Sequence, residues 1–398
     1  EEGNRLPRKV LAFFIIAIYI WTFNLAALVE ARHGPIFVFS GRGYGHGIGL
    51  SQYGAKGFAE RKYDYKAILG HYYQSTSLEG RSAKTLRILV ASKRRDVFFT
   101  GRKNFIVYSE AKRKKYAFLA RHKYRISIRG SRYLIQDMST RKNVGLFAGQ
   151  LRVLRGGGIK LLSSDDNSIK GNVYRGWLRM VRHKNRIYVV NYVNSEHYLF
   201  SVVPREMPWS WPMEALKSQA VAARTYAYNA TQKRRSFFDM YATIKSQVYT
   251  GLGAEHPRSI KAVKETKGAV VAYQGKAINA FFHSGSGGAT ENNENVWKGK
   301  PIPWLRAVRS PYEGKAAVWP KRKKFSRSYI EKKLGRYSKH RKHGVKGSLR
   351  TLKVIKRGVS PRALVVRVVG TRGVSYITGG KLRRLLRLRS SWFFVKRK

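Results

Sequence analysis

Ser201-Val-Val-Pro-Arg-Glu-Met-Pro-Trp-Ser-Trp-Pro-Met-Glu-Ala-Leu-Lys-Ser-Gln-Ala-Val-Ala-Ala-Arg-Thr-Tyr226 sets one carboxylate, Glu206, among Met207, Pro208, Trp209 and Trp211, just before a stretch with helical periodicity. A carboxyl in apolar surroundings loses hydration of its charged form, so its pKa rises. A raised carboxyl pKa suits a general acid at neutral pH. Acids are also scarce: 21 Asp and Glu stand against 81 Lys and Arg, which makes one inside an uncharged block conspicuous. Glu206 can instead cap the following helix, whose dipole favours negative charge at its start, or pair with Arg205. The surrounding cations oppose burial by lowering its pKa.

The helix after Trp211 is the firmest element in the chain. Ser210 suits its cap, Pro212 its first turn and Glu214 its positive end. Met213, Leu216, Ala220, Ala223 and Ala227 recur at three or four residues and form one apolar stripe. Elsewhere, residues 51–60, 65–73, 257–266 and 382–388 are predicted as short helices. Residues 36–40 and 364–369 read as strands, and 268–273 with 277–282 as a hairpin around Gln274-Gly275. From residue 86 to about 193, β-branched and aromatic runs alternate with Gly, Asn and Lys-rich turns, which predicts a strand-rich region.

A length of 398 residues with 43% hydrophobic content supports two or three compact units. The net charge of +60 predicts attraction to polyanions. Basic clusters at 112–115, 321–324 and 339–342 come without any nucleic-acid-binding signature. The absence of cysteine excludes disulfides, thiolate nucleophiles and Cys-ligated zinc. Arg5, Arg8 and Lys9 precede an apolar run over residues 10–28, interrupted by Thr22 and Asn24. That pattern predicts a signal peptide or membrane anchor over residues 1–31, with the rest outside the cytoplasm. Export argues against a nucleic-acid partner.

Gly41-Arg-Gly-Tyr-Gly-His-Gly-Ile-Gly-Leu-Ser-Gln-Tyr-Gly-Ala55 is a loop, because alternate glycines permit positive φ and close backbone approach. With Asp64 it imitates a dinucleotide fingerprint, but no parallel βαβ pattern follows. His46, His71 and His283 have no metal-ligand spacing, and no metal or cofactor is expected.

This loop resembles a block of the SpoIID/LytB family of bacterial cell-wall proteins. So do Glu196-His-Tyr-Leu199 with Pro204-Arg-Glu-Met-Pro208, residues 215–226, Ser246-Gln-Val-Tyr-Thr-Gly251, residues 262–268 and Phe281-Phe-His-Ser-Gly-Ser-Gly-Gly-Ala-Thr290. The resemblance implies an α+β protein with a helix-rich core against β-hairpins and an inserted strand-rich region. It divides the chain into a Gly-His-Gly segment (36–80), the strand-rich region (81–193), a catalytic core (194–315) and a C-terminal part (316–398). SpoIID-like members are lytic transglycosylases that cut peptidoglycan glycan strands between MurNAc and GlcNAc, with the Glu of the Glu-Met-Pro block as catalytic acid. That role falls on Glu206. LytB-like members are enhancers of a cell-wall amidase, and the resemblance alone does not choose. Some members hold zinc with cysteines that this chain lacks. The Gly-His-Gly block comes first here, whereas in SpoIID it follows the catalytic block. The order implies a circular permutation, with residues 393–394 lying beside the strand at 36–40.

A glycan groove needs aromatic faces and neutral hydrogen-bonding groups. Trp209, Trp211, Tyr249 and Trp297 are candidates for the faces. Ser246, Gln247, His283, Ser284, Ser286, Gly287 and Thr290 are candidates for the polar contacts, and His46 and Gln52 for lining the groove. Arg224 and Tyr226 sit two positions apart on a helix and face different sides, so at most one orients Glu206. Glu196 and Glu214 are the other acids close to it in sequence, and Glu291 and Glu294, which flank the Gly-Ser loop, are candidates for a partner carboxylate. A lytic mechanism needs no second carboxylate, because the sugar 6-hydroxyl replaces water as nucleophile.

Overall fold

The computed structural model describes residues 34–154, 158–162, 172–232, 237–297, 299–338 and 340–398. The leader predicted at 1–31 lies outside the described residues. Among the described ones, no helix is long and apolar enough to cross a membrane. The architecture is α+β, with helices and several small sheets. It separates into two compact units, one from residues 47–294 and 299–314, the other from the residues before 47 with 295–298 and 315–398.

In the larger unit the helices are α1 (Gln52–Glu60), α2 (Tyr65–Tyr72), α3 (Ser195–Glu206), α4 (Met213–Gln232) and α5 (Pro257–Glu265). Side-chain caps start them where the sequence supplies one. Ser51 accepts from Gly54 N, Asp64 from Ala67 N and Asn194 from Glu196 N. Helix α4 is the centre and packs against each of the other four. Its buried residues run unbroken from Ser218 to Thr225, so the single stripe read from the sequence is too narrow. Alanines at 220, 222 and 223 let neighbours approach on several sides. The helix starts at Met213, and Pro212 lies just outside, its carbonyl accepting from Leu216 N at 3.2 Å. Helix α3 escapes the periodicity reading because Pro204 sits inside it. It places Glu206 at the end of α3, not at the start of α4.

The strand-rich stretch forms two sheets. One runs, in spatial order, Met240–Tyr241, Thr85–Arg94, Arg186–Asn194, Trp177–His183, Leu151–Leu154, Phe105–Ser109 and Lys114–Phe118. The other runs Lys142–Phe147, Arg132–Asp137, Tyr124–Arg129, Asp96–Gly101, Ile159–Leu161 and Asn172–Tyr174. All pairings are antiparallel except that of Met240–Tyr241 with Thr85–Arg94. Alternating residues such as Val97, Phe99, Phe105, Val107, Tyr124 and Ile126 are buried. The strand Arg186–Asn194 runs directly into α3, and Asn194 serves both as its last residue and as the cap. The sheet thereby fixes the direction in which α3 carries Glu206. The predicted hairpin is shorter than expected. Ala269–Tyr273 pairs with Lys276–Ala277 on one edge and with Ser77–Gly80 on the other, and Phe282–His283 pairs instead with Leu50–Ser51.

In the smaller unit, Ile36–Gly41 is the middle strand between Lys323–Ser326 and Phe393–Arg397. Ser40 faces Phe394 and Gly41 faces Phe393, so the two ends of the described chain lie side by side, as the block order implies. A second sheet joins Leu349–Arg357, Ala363–Gly370 and Gly373–Thr378. The helices Arg327–Leu334 and Gly379–Leu385 contribute Ile330, Leu334 and Leu382 to a core shared with Phe37, Phe39, Val366 and Phe393.

Candidate active site

Glu206 is half-buried on the last turn of α3. Its Oε1 accepts from Val248 N at 3.0 Å, and it forms no ion pair among the described residues. Its pKa is raised, and loss of solvation on burial is the main cause. The Val248 amide and the charge of exposed Arg205 pull the other way but are outweighed. The position adds to this, since the negative end of a helix dipole disfavours a carboxylate. Capping at a helix start, the alternative open in the sequence, does not occur. Three of the other candidate acids are committed elsewhere. Glu196 pairs with Arg224, Glu214 accepts from Tyr65 N at 2.9 Å and Lys217 at 2.8 Å, and Glu294 binds Arg306 at 2.6 Å.

Gln52 is the sequence-predicted residue that does reach Glu206. Its Nε2 donates to the Glu206 carbonyl at 2.9 Å and to Gln219 Oε1 on α4 at 3.1 Å. The glycine loop brings it there. Gly49 has φ +69°, and a Cβ at that position would lie 2.1 Å from the Phe281 carbonyl. The close approach lets Leu50–Ser51 pair in parallel with Phe282–His283. A buried carboxylate, which the sequence reading missed, locks this junction. Glu313 accepts from Ser51 Oγ at 2.6 Å, Ser286 N at 2.9 Å, Ser310 Oγ at 2.8 Å and Gly287 N at 2.7 Å, with Ser286 Oγ also bonded. Its neighbours in sequence, Tyr312 and Gly314, give no signal of that role.

A cavity of about 190 Å³ is lined by Tyr226, Asn229, Asp239, Ser246, Asn279 and Phe281, among others. Two rings and several neutral polar groups suit a sugar. It connects to the acid through the chain, since Ser246 is two residues from Val248, the partner of Glu206. Glu206 and Tyr226 also both raise the pKa of the buried Tyr198 phenol, after burial itself. Asn229 and Asn279 were not anticipated, because nothing local distinguishes them from surface amides. After Glu206 the chain runs on into two tryptophans. Trp209, 48% exposed, stacks on His256 with centroids 4.1 Å apart, and Trp211 lies 4.9 Å from Tyr53. Arg258 holds both tryptophan carbonyls, at 3.0 and 2.9 Å.

The other predicted groove residues make internal contacts or lie in the smaller unit. Arg224 is fully buried and forms a two-pronged pair with Glu196 at 2.9 and 2.8 Å, with further bonds to the Ala269 and Val263 carbonyls. Tyr249 is buried and donates to Asn191. Gln247 is buried, accepts from Tyr198 and donates to the Ala223 carbonyl. Thr290 is enclosed beside the Val308 backbone. Ser286 and Gly287 serve Glu313. His283 is buried with Nδ1 3.2 Å from the Ile48 carbonyl, and the half-buried Ser284 offers its carbonyl to Tyr53 N at 2.9 Å. His46 and Trp297 belong to the smaller unit, with rings 5.1 Å apart. Among the described residues no group of three or more His, Asp or Glu side chains is placed to hold a metal ion.

Residues 183–273 match the SpoIID family model, described as stage II sporulation protein. An uncharacterised protein of Brachyspira hyodysenteriae is 36% identical over 205 residues, 51% of this chain and 55% of that protein. Stage II sporulation protein D of Bacillus amyloliquefaciens is 36% identical over 157 residues, 35% of this chain and 45% of its own length. The amidase enhancer of Bacillus subtilis is 41% identical over 111 residues, 28% of this chain and 15% of that protein. The chain thus spans about half the length, or less, of the curated relatives it matches. The match lies over α3, α4, α5 and Glu206, and this part of the chain is similar to the SpoIID family.

Proposed function

We propose that this protein acts outside the cytoplasm as a peptidoglycan lytic transglycosylase, with Glu206 as its single acid and base. The observation that carries this reading is a half-buried carboxyl with a raised pKa, without an ion-pair partner among the described residues and followed in the chain by the exposed Trp209. Protonated Glu206 gives its proton to the glycosidic oxygen, and the bond from that oxygen to C1 of MurNAc breaks. The resulting carboxylate takes the proton of the MurNAc 6-hydroxyl as that oxygen bonds to C1. The products are a free GlcNAc 4-hydroxyl and a 1,6-anhydro end, and Glu206 is protonated again. Gln52 holds the backbone of the acid, Tyr226, Ser246 and Asn279 offer a sugar-sized recess, and Trp209 and Trp211 offer aromatic faces in the segment that follows the acid.

A second reading is favoured by the likeness to an amidase enhancer: the same surface binds glycan and stimulates a separate amidase. Purified protein incubated with peptidoglycan stripped of its stem peptides tests the choice. Anhydro-ended products, reduced at least about 100-fold by Glu206→Gln, are expected. Binding without products, together with amidase stimulation indifferent to Glu206→Gln, would establish the enhancer instead.

A further inference from the structure

The smaller unit holds a cavity of about 1000 Å³ that no part of the glycan reading uses. Lys332, Arg336, Lys346 and Arg372 line it, and none of the four has a carboxylate partner among the described ion pairs. The one acid in the lining, Glu331, is already engaged by Leu349 N at 2.6 Å. Arg327 stands 4.0 Å from the same carboxylate. The walls are tied together through the backbone. Tyr337 N donates to Val345, Thr371 N to Ser348 and Arg372 N to Lys346, all within 3.0 Å. Gly335, at φ +72°, leaves room for the Arg341 guanidinium, which a Cβ would strike. The helix Arg327–Leu334 turns its carbonyl end this way, worth about half a negative charge. Four cations less one carboxylate and that half charge leave about two to three positive charges, enough for a short run of phosphodiesters at one charge each.

From this cavity we infer a binding site for a phosphodiester-linked polyol or sugar polymer. Hydroxyls of Ser328, Ser348 and Thr371 stand among the cations and suit phosphate oxygens. The lining has one aromatic ring, Tyr337, and Lys346 Nζ already covers it at 4.4 Å from the centroid. The cavity therefore lacks the stacking platform that single-stranded nucleic acid uses. A concave site focuses the field of its charges more than the basic surface elsewhere on the chain does.

The test is titration of the full chain with a poly(glycerol phosphate) oligomer at physiological ionic strength. The expected result is saturable binding, weakened at least about tenfold by Arg336→Ala with Lys346→Ala. Lys114→Ala with Lys115→Ala removes the same charge from a basic cluster elsewhere and should change affinity less than about twofold. Arg372→Gln serves as a milder second variant, with thermal unfolding confirming that each variant is folded. Equal loss in both double variants would reduce the site to general charge and overturn the proposal. So would absence of binding, or equal pocket-dependent binding of a single-stranded DNA oligomer or of phosphatidylglycerol vesicles. Because the readout is binding and not strand cleavage, inactivity of the Glu206 site leaves this result unaffected.

Discussion

Two carboxylates on one helix, Glu196 and Glu206, meet opposite fates. Glu196 is neutralised by a buried guanidinium, whereas Glu206 has a backbone amide and reduced solvent, which holds its pKa up. A raised folded-state pKa means that the native state binds more protons than the unfolded chain between the two pKa values. The associated stability is fully present below the unfolded carboxyl value and is lost as pH rises through the folded one. Glu206→Gln keeps an oxygen for Val248 N and removes the charge. It should match the wild type in thermal stability near pH 4 and exceed it near pH 8, and parallel melts at the two pH values check this. Strand cleavage by the wild type should fall as pH rises through the same transition, since the acid form is consumed. For the other pair, Arg224→Ala strands a buried carboxylate and should cost about 3–5 kcal/mol in chemical denaturation. Adding Glu196→Gln should recover part of that loss, because the effects of contacting residues do not add. The sequence marks Arg224 and Glu206 alike as residues of interest. Which carboxylate the arginine takes depends on how α3 crosses α4, and the sequence does not encode that locally.

Helix α1 illustrates how an element's composition serves its neighbours and not its own propensity. Gly54 and Gly57 both lie inside it, at a cost of about 1 kcal/mol each relative to alanine in an isolated helix. A Cβ on Gly57 would fall 1.8 Å from the Tyr312 carbonyl, and one on Gly54 1.8 Å from the Tyr72 hydroxyl. Gly57→Ala should therefore lower stability by a net of about 1–3 kcal/mol despite its better helix propensity. Calorimetry that found a higher melting temperature would contradict that close packing. Helices α1, α2, α4 and α5 were legible because their caps and spacing are local signals. Helix α3 was hidden by Pro204, a strong local signal against the interior of a helix, overridden here by the buried Tyr198, Leu199, Val202 and Val203.

At the scale of the molecule, the strand Phe393–Arg397 closes the smaller unit against Ile36–Gly41, with Phe393 and Phe37 fully buried. Truncation before residue 392 should expose residues 316–391 to limited proteolysis, with new cleavage products identified by mass spectrometry. Retention of the wild-type digestion pattern would mean that this pairing is dispensable. The sequence alone determined the α+β class, the richness in strands between residues 86 and 193, four helices of the larger unit and the pairing of residues 393–394 with the strand at 36–41, because caps, periodicity and short motifs act over a few residues. Only the tertiary structure decided that Glu206 ends one helix instead of starting another, that Arg224 serves Glu196, that Gln52 reaches the acid and that Glu313 ties two glycine loops together. Those outcomes rest on desolvation and hydrogen bonds between residues up to 262 positions apart. Their energies depend on which groups burial brings together, and a linear pattern does not contain that information.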